Sequence, residues 1–147
     1  VLDKIDALTP QGETYIPAGL SWGLRVLSDN EPFTGGASYA TVQAQQGVKA
    51  LILMTDGANT ASATYPHHNG SSAADANAKV EELCDEIKIE KIEVFTIAFE
   101  VTDTTIKDLL EDCATTPSKF FDATNSADLT EAFDKIADNL QELALTK

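Results

Sequence analysis

The sequence predicts an α/β fold, in which helices cover a doubly wound, Rossmann-like parallel sheet in three α/β/α layers. Two short and mostly apolar segments predict buried strands: residues 48–54 have the pattern of a strand covered on both faces, and residues 92–99 are rich in β-branched and aromatic residues. Segments with the apolar spacing of amphipathic helices alternate with these strands along the chain. An order of this kind is typical of a sheet built from parallel strands with crossover helices.

Two helices are predicted before the first strand, separated by the helix-breaking sequence TPQG at residues 9–12. Residues 1–8 have the spacing of a helix interior. A second helix follows GETY, because Pro17 suits a first helical turn. Turn residues at 28–36 end this helix, and we expect a polar loop to about residue 46. Leu20, Gly23, Leu24 and Leu27 lie on one face of this second helix.

The second half of the chain predicts three helices and one more strand. A long loop at residues 57–76 leads to the first of these helices, and Asp103 and Ser126 are expected to cap the other two. A short strand at residues 119–123 lies between the last two helices. The expected inward faces are Val80, Leu83, Cys84 and Ile87, then Ile106, Leu109, Leu110 and Cys113, and finally Leu129, Phe133, Ile136, Leu140 and Leu143.

The sheet is expected to lack its first strands, since three strands are few for about five helices. The chain also opens in what resembles the middle of a helix, without a Met or a signal-like segment. We therefore expect residues 1–147 to be the C-terminal portion of a single domain in a longer protein. The strand at 48–54 would then have an open edge that invites self-association.

The composition is globular and strongly acidic, with 43% hydrophobic residues and 24 acids against 10 bases, for a formal charge of −14. Such a charge repels phosphate backbones, so nucleic acids and anionic lipids are poor partners. A divalent cation or a basic partner fits better. No apolar stretch approaches the roughly 20 residues of a membrane span.

Asp56 is the first candidate functional residue, because it comes directly after the apolar strand in ALILMTDGANT. Functional side chains gather beyond the carboxyl ends of strands in open α/β sheets. Asp56 could be a metal ligand, a phosphoryl-transfer nucleophile or part of a strand-ending turn. The second interpretation resembles the haloacid dehalogenase-like phosphatases, whose strand ends Asp-x-Asp, but Met54 stands where the other carboxylate is needed.

Thr14 is the second candidate, because it lies in a loop just before a predicted helix. A hydroxyl from this loop and the carboxylate of Asp56 are hard oxygen ligands of the kind that Mg²⁺ accepts, with waters at the other positions. The two residues together predict a metal site at one edge of the sheet.

The segments GETYIPAGLSWGLRVLS, KALILMTDGANT, LCDEIK, IEVFTIAF, LLEDCATTPSKFFDA and LTEAFDKIADNLQELALTK resemble the C-terminal part of a von Willebrand factor type A domain. More narrowly, they are similar to the TadG-like proteins of bacterial Flp/Tad pilus assembly. The resemblance covers essentially the whole chain. Its most specific parts are the Gly-x-Thr-x-Ile-Pro-x-Gly-Leu segment with Trp22, and the two cysteines.

The resemblance implies a metal-ion-dependent adhesion site, in which Thr14 matches the family's threonine and Asp56 its aspartate. The family's Asp-x-Ser-x-Ser motif is absent here and is expected upstream. We therefore expect weak binding of Mg²⁺, Mn²⁺ or Ca²⁺, on the order of millimolar or weaker. The ion would bridge to an acidic residue of a protein partner, beside a loop that contains Gly57, Asn59 and Thr60. The implied location is the bacterial cell envelope or surface, outside the cytoplasm.

Residues 122–126, DATNS, have a spacing similar to the missing motif. They follow a short strand and precede the last helix, which is the wrong place in the chain order. A strand-ending Asp122 with Ser126 as the helix cap is the favoured interpretation.

Cys84 and Cys113 are expected on the inward faces of two helices that lie side by side, because consecutive crossovers run the same way. From the residues alone they could be buried thiols or one disulfide. The resemblance to an extracytoplasmic family favours the disulfide, which would stabilise the fold by roughly 3 kcal/mol.

The expected function is binding, not catalysis, since no nucleophile is paired with a base. A structural cell-envelope module with a vestigial, metal-independent site is the alternative, and a hydrolase is a third interpretation. His67 and His68, in a polar loop, are expected to be solvated rather than to bind a transition metal. Trp22 is expected to pack in the core or to project towards the missing half of the domain.

Overall fold

Helices and strands alternate along the chain as the sequence predicts. The computed structural model describes residues 2–9, 12–64, 67 and 69–145. The elements in order are α1 (Leu2–Asp6), α2 (Ile16–Leu27), α3 (Tyr39–Ala44), β1 (Ala50–Thr55), α4 (Ala73–Ile89), β2 (Glu93–Phe99), α5 (Thr104–Cys113), β3 (Phe120–Ala123) and α6 (Ser126–Leu145), with a 3₁₀ turn at Pro117–Lys119. No helix in these ranges is both long and apolar enough to cross a membrane.

The described strands form one parallel sheet in the order β1-β2-β3. In its register Leu51 lies opposite Val94, and Thr96 lies opposite Phe120. Because the strands are parallel, their carboxyl ends meet at a single edge of the sheet. The prediction of an α/β fold built on a parallel sheet is confirmed, and that edge positions the candidate site.

Two hydrophobic clusters cover the two faces of the sheet. On one face, α2, α4 and α5 pack against the sheet through residues such as Leu20, Val80 and Leu110. On the other face, α6 covers Phe95 and Ile97 of β2. The predicted three-layer arrangement is therefore correct.

The second face of β1 is open, which corrects the expectation that this strand is covered on both sides. Leu51 and Leu53 face the helices, whereas Ile52 and Met54 are 42% and 46% exposed. The second core cluster is formed by α6 with β2 and β3, and it leaves these two β1 residues outside. A continuous apolar run shows that both faces of a strand are apolar, but not that a neighbour covers each of them.

Three local predictions also need correction. The segment predicted as a polar loop contains α3, whose N-terminus is capped by the Ser38 hydroxyl that accepts a hydrogen bond from the Thr41 amide at 3.1 Å. The cap of α6 is Asn125 rather than Ser126, since the Asn125 side chain accepts hydrogen bonds from two amides of the first turn at 2.8 and 3.0 Å. Phe133 is 44% exposed, and buried Ala132 takes its place on the inward face.

Cys84 of α4 and Cys113 of α5 form a disulfide, with their Cα atoms 5.2 Å apart. Both side chains are almost fully buried, at 1% and 2% exposure. The predicted pairing is therefore present, and it ties together the two helices that flank β2. The expected cap of α5 is also correct, since the Asp103 carboxylate accepts a hydrogen bond from the Thr105 amide at 2.8 Å.

Candidate metal and partner-binding site

Asp56 lies immediately beyond the last residue of β1, at the carboxyl edge of the sheet. The turn that carries it is held by Thr55, whose hydroxyl donates a hydrogen bond to the Gly57 carbonyl at 2.9 Å and accepts one from the Gly57 amide at 3.3 Å. Thr55 is only 8% exposed, so the turn is anchored in the interior. The Asp56 side chain is exposed at the corner of this turn.

Thr14 lies in a loop that is hydrogen-bonded to the segment after this turn. The Thr14 amide donates to the Thr60 hydroxyl at 2.7 Å. The Thr14 carbonyl accepts hydrogen bonds from the amides of Thr60 and Ala61 at 2.9 and 3.0 Å. The loop before α2 and the loop after β1 therefore contact each other, although 46 positions separate Thr14 from Thr60 in the sequence.

Asn59 lies beneath this junction. Its side-chain carbonyl accepts a hydrogen bond from the Ile16 amide at 2.7 Å, and its amide group donates to the Asn77 side chain at 2.9 Å. The residue is 3% exposed. Of the residues expected at a partner surface, Thr60 is exposed and Gly57 is half-buried, whereas Asn59 supports the loop from inside.

The side-chain oxygens of Thr14 and Asp56 are available to a ligand. Within the described part of the chain, no hydrogen bond or ion pair engages the Thr14 hydroxyl or the Asp56 carboxylate. Both are hard oxygen donors that suit Mg²⁺ or Ca²⁺. These two ligands alone do not complete the coordination of an ion. The described residues contain no group of three or more acidic, histidine or cysteine side chains that could hold one.

The DATNS segment joins the end of β3 to the start of α6. Asp122 pairs with Lys107 at 2.7 Å. The Asp128 carboxylate accepts hydrogen bonds from the Thr124 hydroxyl at 2.6 Å and from the Asn125 side chain at 2.9 Å. These bonds, those from Thr124 above all, lower the pKa of Asp128 below its ordinary value. The segment therefore ends a strand and caps a helix, as the sequence predicts, although the capping side chain is Asn125 and not Ser126.

Of the two histidines, His67 is exposed, and His68 lies outside the described residues. The backbone carbonyl of His67 accepts a hydrogen bond from the Thr64 hydroxyl at 2.7 Å.

Trp22 is 51% exposed on the outward side of α2, which corrects the expectation of core packing. It contacts Phe33, with the two ring centroids 5.9 Å apart and the ring planes at 66°. Leu20, at 1% exposure, lies on the inward side. A signal for this was present in the sequence, because two positions along a helix turn a side chain by about 200°.

Comparisons with known proteins identify similar domains. A family model described as von Willebrand factor type A domain matches residues 1–135. No curated protein matches the sequence.

Similar solved structures include the pilus adhesin SpaC from Lactobacillus rhamnosus GG, with a TM-score of 0.60 at 16% identity over 95% of this chain and 21% of that chain. Its open conformation gives the same TM-score and identity over 97% and 20% of the respective chains. Proximal thread matrix protein 1 from the mussel byssus has a TM-score of 0.52 at 21% identity, over 97% of this chain and 27% of that chain. At these identities the likeness is one of fold. The chain spans only 20–27% of the length of these proteins.

Proposed function

The chain belongs to the von Willebrand factor type A domain family, and from that premise we propose that it is a protein-binding module with a divalent-cation site at the edge of its sheet. The proposed ligands from this chain are the Thr14 hydroxyl and the Asp56 carboxylate. The proposed partner surface is the exposed loop that includes Gly57 and Thr60.

The observation that supports this proposal most directly is the junction between the two loops. The hydrogen bonds between Thr14 and Thr60 bring the loop before α2 into contact with the loop that follows the carboxyl end of β1. The turn with Asp56 begins at that same end. Because both oxygen donors lack internal partners among the described residues, each can bind a ligand without breaking an interaction within the chain.

The chemistry of the site follows from its charge. A divalent cation bound there would bridge Asp56 to a partner carboxylate and offset the repulsion between the two negative groups. The chain has a formal charge of −14, so an acidic partner would otherwise be repelled at long range. Because the Thr14 hydroxyl is a neutral ligand, it would not offset the positive charge of the ion, and this charge would then attract the partner carboxylate.

We propose more specifically that the chain acts outside the cytoplasm, in bacterial pilus assembly or surface attachment, as the TadG-like proteins do. The Cys84–Cys113 disulfide supports this location, because disulfides form and persist in oxidising compartments. The proposed role is not enzymatic. Among the described residues, neither Asp56 nor Thr14 has a general base within hydrogen-bond reach.

The proposed affinity of this chain alone is weak, on the order of millimolar or poorer, because two protein donors leave most of the octahedral positions to water. A chain extended upstream to include an Asp-x-Ser-x-Ser strand is expected to bind Mg²⁺ and Mn²⁺ more tightly. Titration calorimetry on the two chains tests this expectation. Equal affinities would contradict it.

Paramagnetic Mn²⁺ gives a local test on the chain itself. At substoichiometric Mn²⁺, amide NMR signals of Thr14, Asp56 and Gly57 should broaden before signals elsewhere. Asp56→Asn should weaken the effect by about ten-fold or more. Asp29→Asn, which makes the same charge change in an exposed loop, should leave it intact. Broadening that centres on other acidic residues, or that survives Asp56→Asn, would refute the metal site.

One observation favours a second candidate, a structural cell-envelope module with metal-independent contacts. The described residues contain no cluster of three or more acidic, histidine or cysteine ligands. Partner binding that is insensitive to EDTA would support this second function, whereas loss of binding in EDTA supports the metal-dependent one.

A further inference from the structure

We propose that the outward face of α2 is a second, metal-independent binding surface for an acidic segment of a partner protein. A pocket of about 230 Å³ lies on this face. We name it the Trp22 pocket, and its walls include Tyr15, Pro17, Ser21, Trp22 and Arg25 together with Lys79 of α4. None of these residues is a proposed metal ligand, so the inference goes beyond the proposed function.

Trp22 and Arg25 form a preorganised pair at the pocket. The Arg25 guanidinium lies over the Trp22 ring, 5.2 Å from its centroid. The Trp22 ring is also in an edge contact with Phe33. A guanidinium held over an indole keeps its N–H edges free for a planar carboxylate, and it loses little side-chain freedom when it binds one.

The net charge of −14 repels an acidic partner at long range, but the two positive side chains at this pocket, Arg25 and Lys79, make it a local site for a carboxylate. Arg25 is the only arginine in a chain with 24 acidic residues. Yet within the described part of the chain no carboxylate lies within ion-pair distance of it. A guanidinium matches a carboxylate through two parallel hydrogen bonds, so an exposed Arg25 is available to a carboxylate from outside.

Lys79 adds a second positive charge at the rim of the pocket. Its ammonium pairs with Glu82 at 2.7 Å, but both side chains are about half exposed, at 45% and 57%. An exposed pair one helical turn apart is worth little in free energy. Lys79 can therefore turn towards an incoming acidic group at small cost.

The apolar part of the surface indicates what accompanies the acidic group. Trp22, Val26 and Phe33 are 51%, 55% and 43% exposed, all in one region around α2. Exposed apolar patches next to charged groups are typical of protein-binding surfaces. The occupant that fits is a peptide segment that combines glutamate or aspartate with large apolar residues.

The composition of the chain provides an unusually clean experiment, because Trp22 is its only tryptophan. The probe is the capped peptide acetyl-Glu-Leu-Glu-Glu-Leu-Glu-amide, titrated in EDTA and followed by tryptophan fluorescence and by the indole N–H NMR signal. We expect a saturable change. The same peptide with glutamine for every glutamate should bind about ten-fold more weakly or worse, because charged hydrogen bonds are lost.

Variants identify the residues that carry the effect. Arg25→Gln should weaken peptide binding by about ten-fold. Arg25→Lys should weaken it less, because the lysine keeps the positive charge but its ammonium cannot form the bidentate pair. Lys79→Gln should have a smaller effect. Lys135→Gln is the matched control, since Lys135 is in a similar exposed helical pair with Glu131 on α6.

The proposal is overturned if the acidic peptide gives no saturable change, if the glutamine peptide binds equally well, or if Arg25→Gln binds like the unmodified chain. Because EDTA is present throughout, these outcomes do not depend on the proposed cation site. Failure of that site would appear instead in the Mn²⁺ experiment, which leaves the Trp22 pocket untouched.

Discussion

Asn59 accepts a hydrogen bond from the backbone amide of Ile16 at 2.7 Å and so joins the loop after β1 to the first turn of α2. The two residues are 43 positions apart, and the bond is buried. It holds the Thr14 loop and the loop after Asp56 in a fixed relation. Asn59 thereby positions the candidate site without being exposed to a ligand.

Asn59→Ala should lower the free energy of unfolding by about 1–3 kcal/mol, because the buried Ile16 amide and the Asn77 side chain lose their partner. Urea denaturation measures this. Asn30→Ala, the same change at an exposed position, should cost less than about 0.5 kcal/mol. Equal effects of the two substitutions would mean that the junction is not a stabilising contact.

Removal of the disulfide should lower stability by about 3 kcal/mol, because the bridge constrains a loop of 29 residues in the unfolded chain. Cys84→Ala/Cys113→Ala and the reduced form of the unmodified chain should show similar urea midpoints. The oxidised chain, unfolded without reductant, should contain no free thiol. Two reactive thiols in that assay would contradict the bridge.

The open face of β1 should promote self-association. Within the described residues β1 pairs with β2 alone, so its other edge has unpaired backbone groups beside the exposed Ile52 and Met54. Ile52→Thr/Met54→Thr should reduce the concentration dependence of the sedimentation coefficient. Ile89→Thr, at a 77% exposed position at the end of α4, is the control. Association that is unchanged in the double variant would place the contact elsewhere.

Asp128 should make stability depend on pH in the acid range. Hydrogen bonds from Thr124 and Asn125 lower the pKa of its carboxyl below the ordinary value of 3.8. The unfolded chain then binds the proton more readily than the folded chain. The stabilisation from the charged carboxylate is fully present above about pH 3.8 and is lost as the pH falls from there through the lower folded pKa.

Asp128→Asn should therefore make the free energy of unfolding, measured by urea denaturation, depend less on pH below about pH 3.8. Asp138→Asn, the same substitution further along α6, provides the comparison. Identical acid limbs in the Asp128 variant and the unmodified chain would argue against a functional cap at this site.

Much of the fold was predictable from local patterns. The spacing of Val80, Leu83, Cys84 and Ile87 predicts the buried face of α4, and all four side chains are buried. The positions of Asp103 and Pro17 predict the starts of two helices. These features depend only on residues within one or two helical turns of each other, and the local sequence pattern shows those residues directly.

The candidate site was predictable only in part. The position of Asp56 after a strand and that of Thr14 before a helix are local features, whereas the bond from Asn59 to Ile16 depends on the packing of two loops. The exposure of the Ile52 side chain and the contact between Trp22 and Arg25 likewise depend on which helices and strands pack next to β1 and α2.

The sequence by itself therefore determined the order of helices and strands, the acidic surface and the inward placement of both cysteines, since each follows from residue type and short-range periodicity. Tertiary structure alone decided which apolar faces are covered, which polar side chains are buried and which loops meet. The physical reason is that burial and long-range hydrogen bonding are properties of pairs of segments, and the chain sets their distance only when it folds.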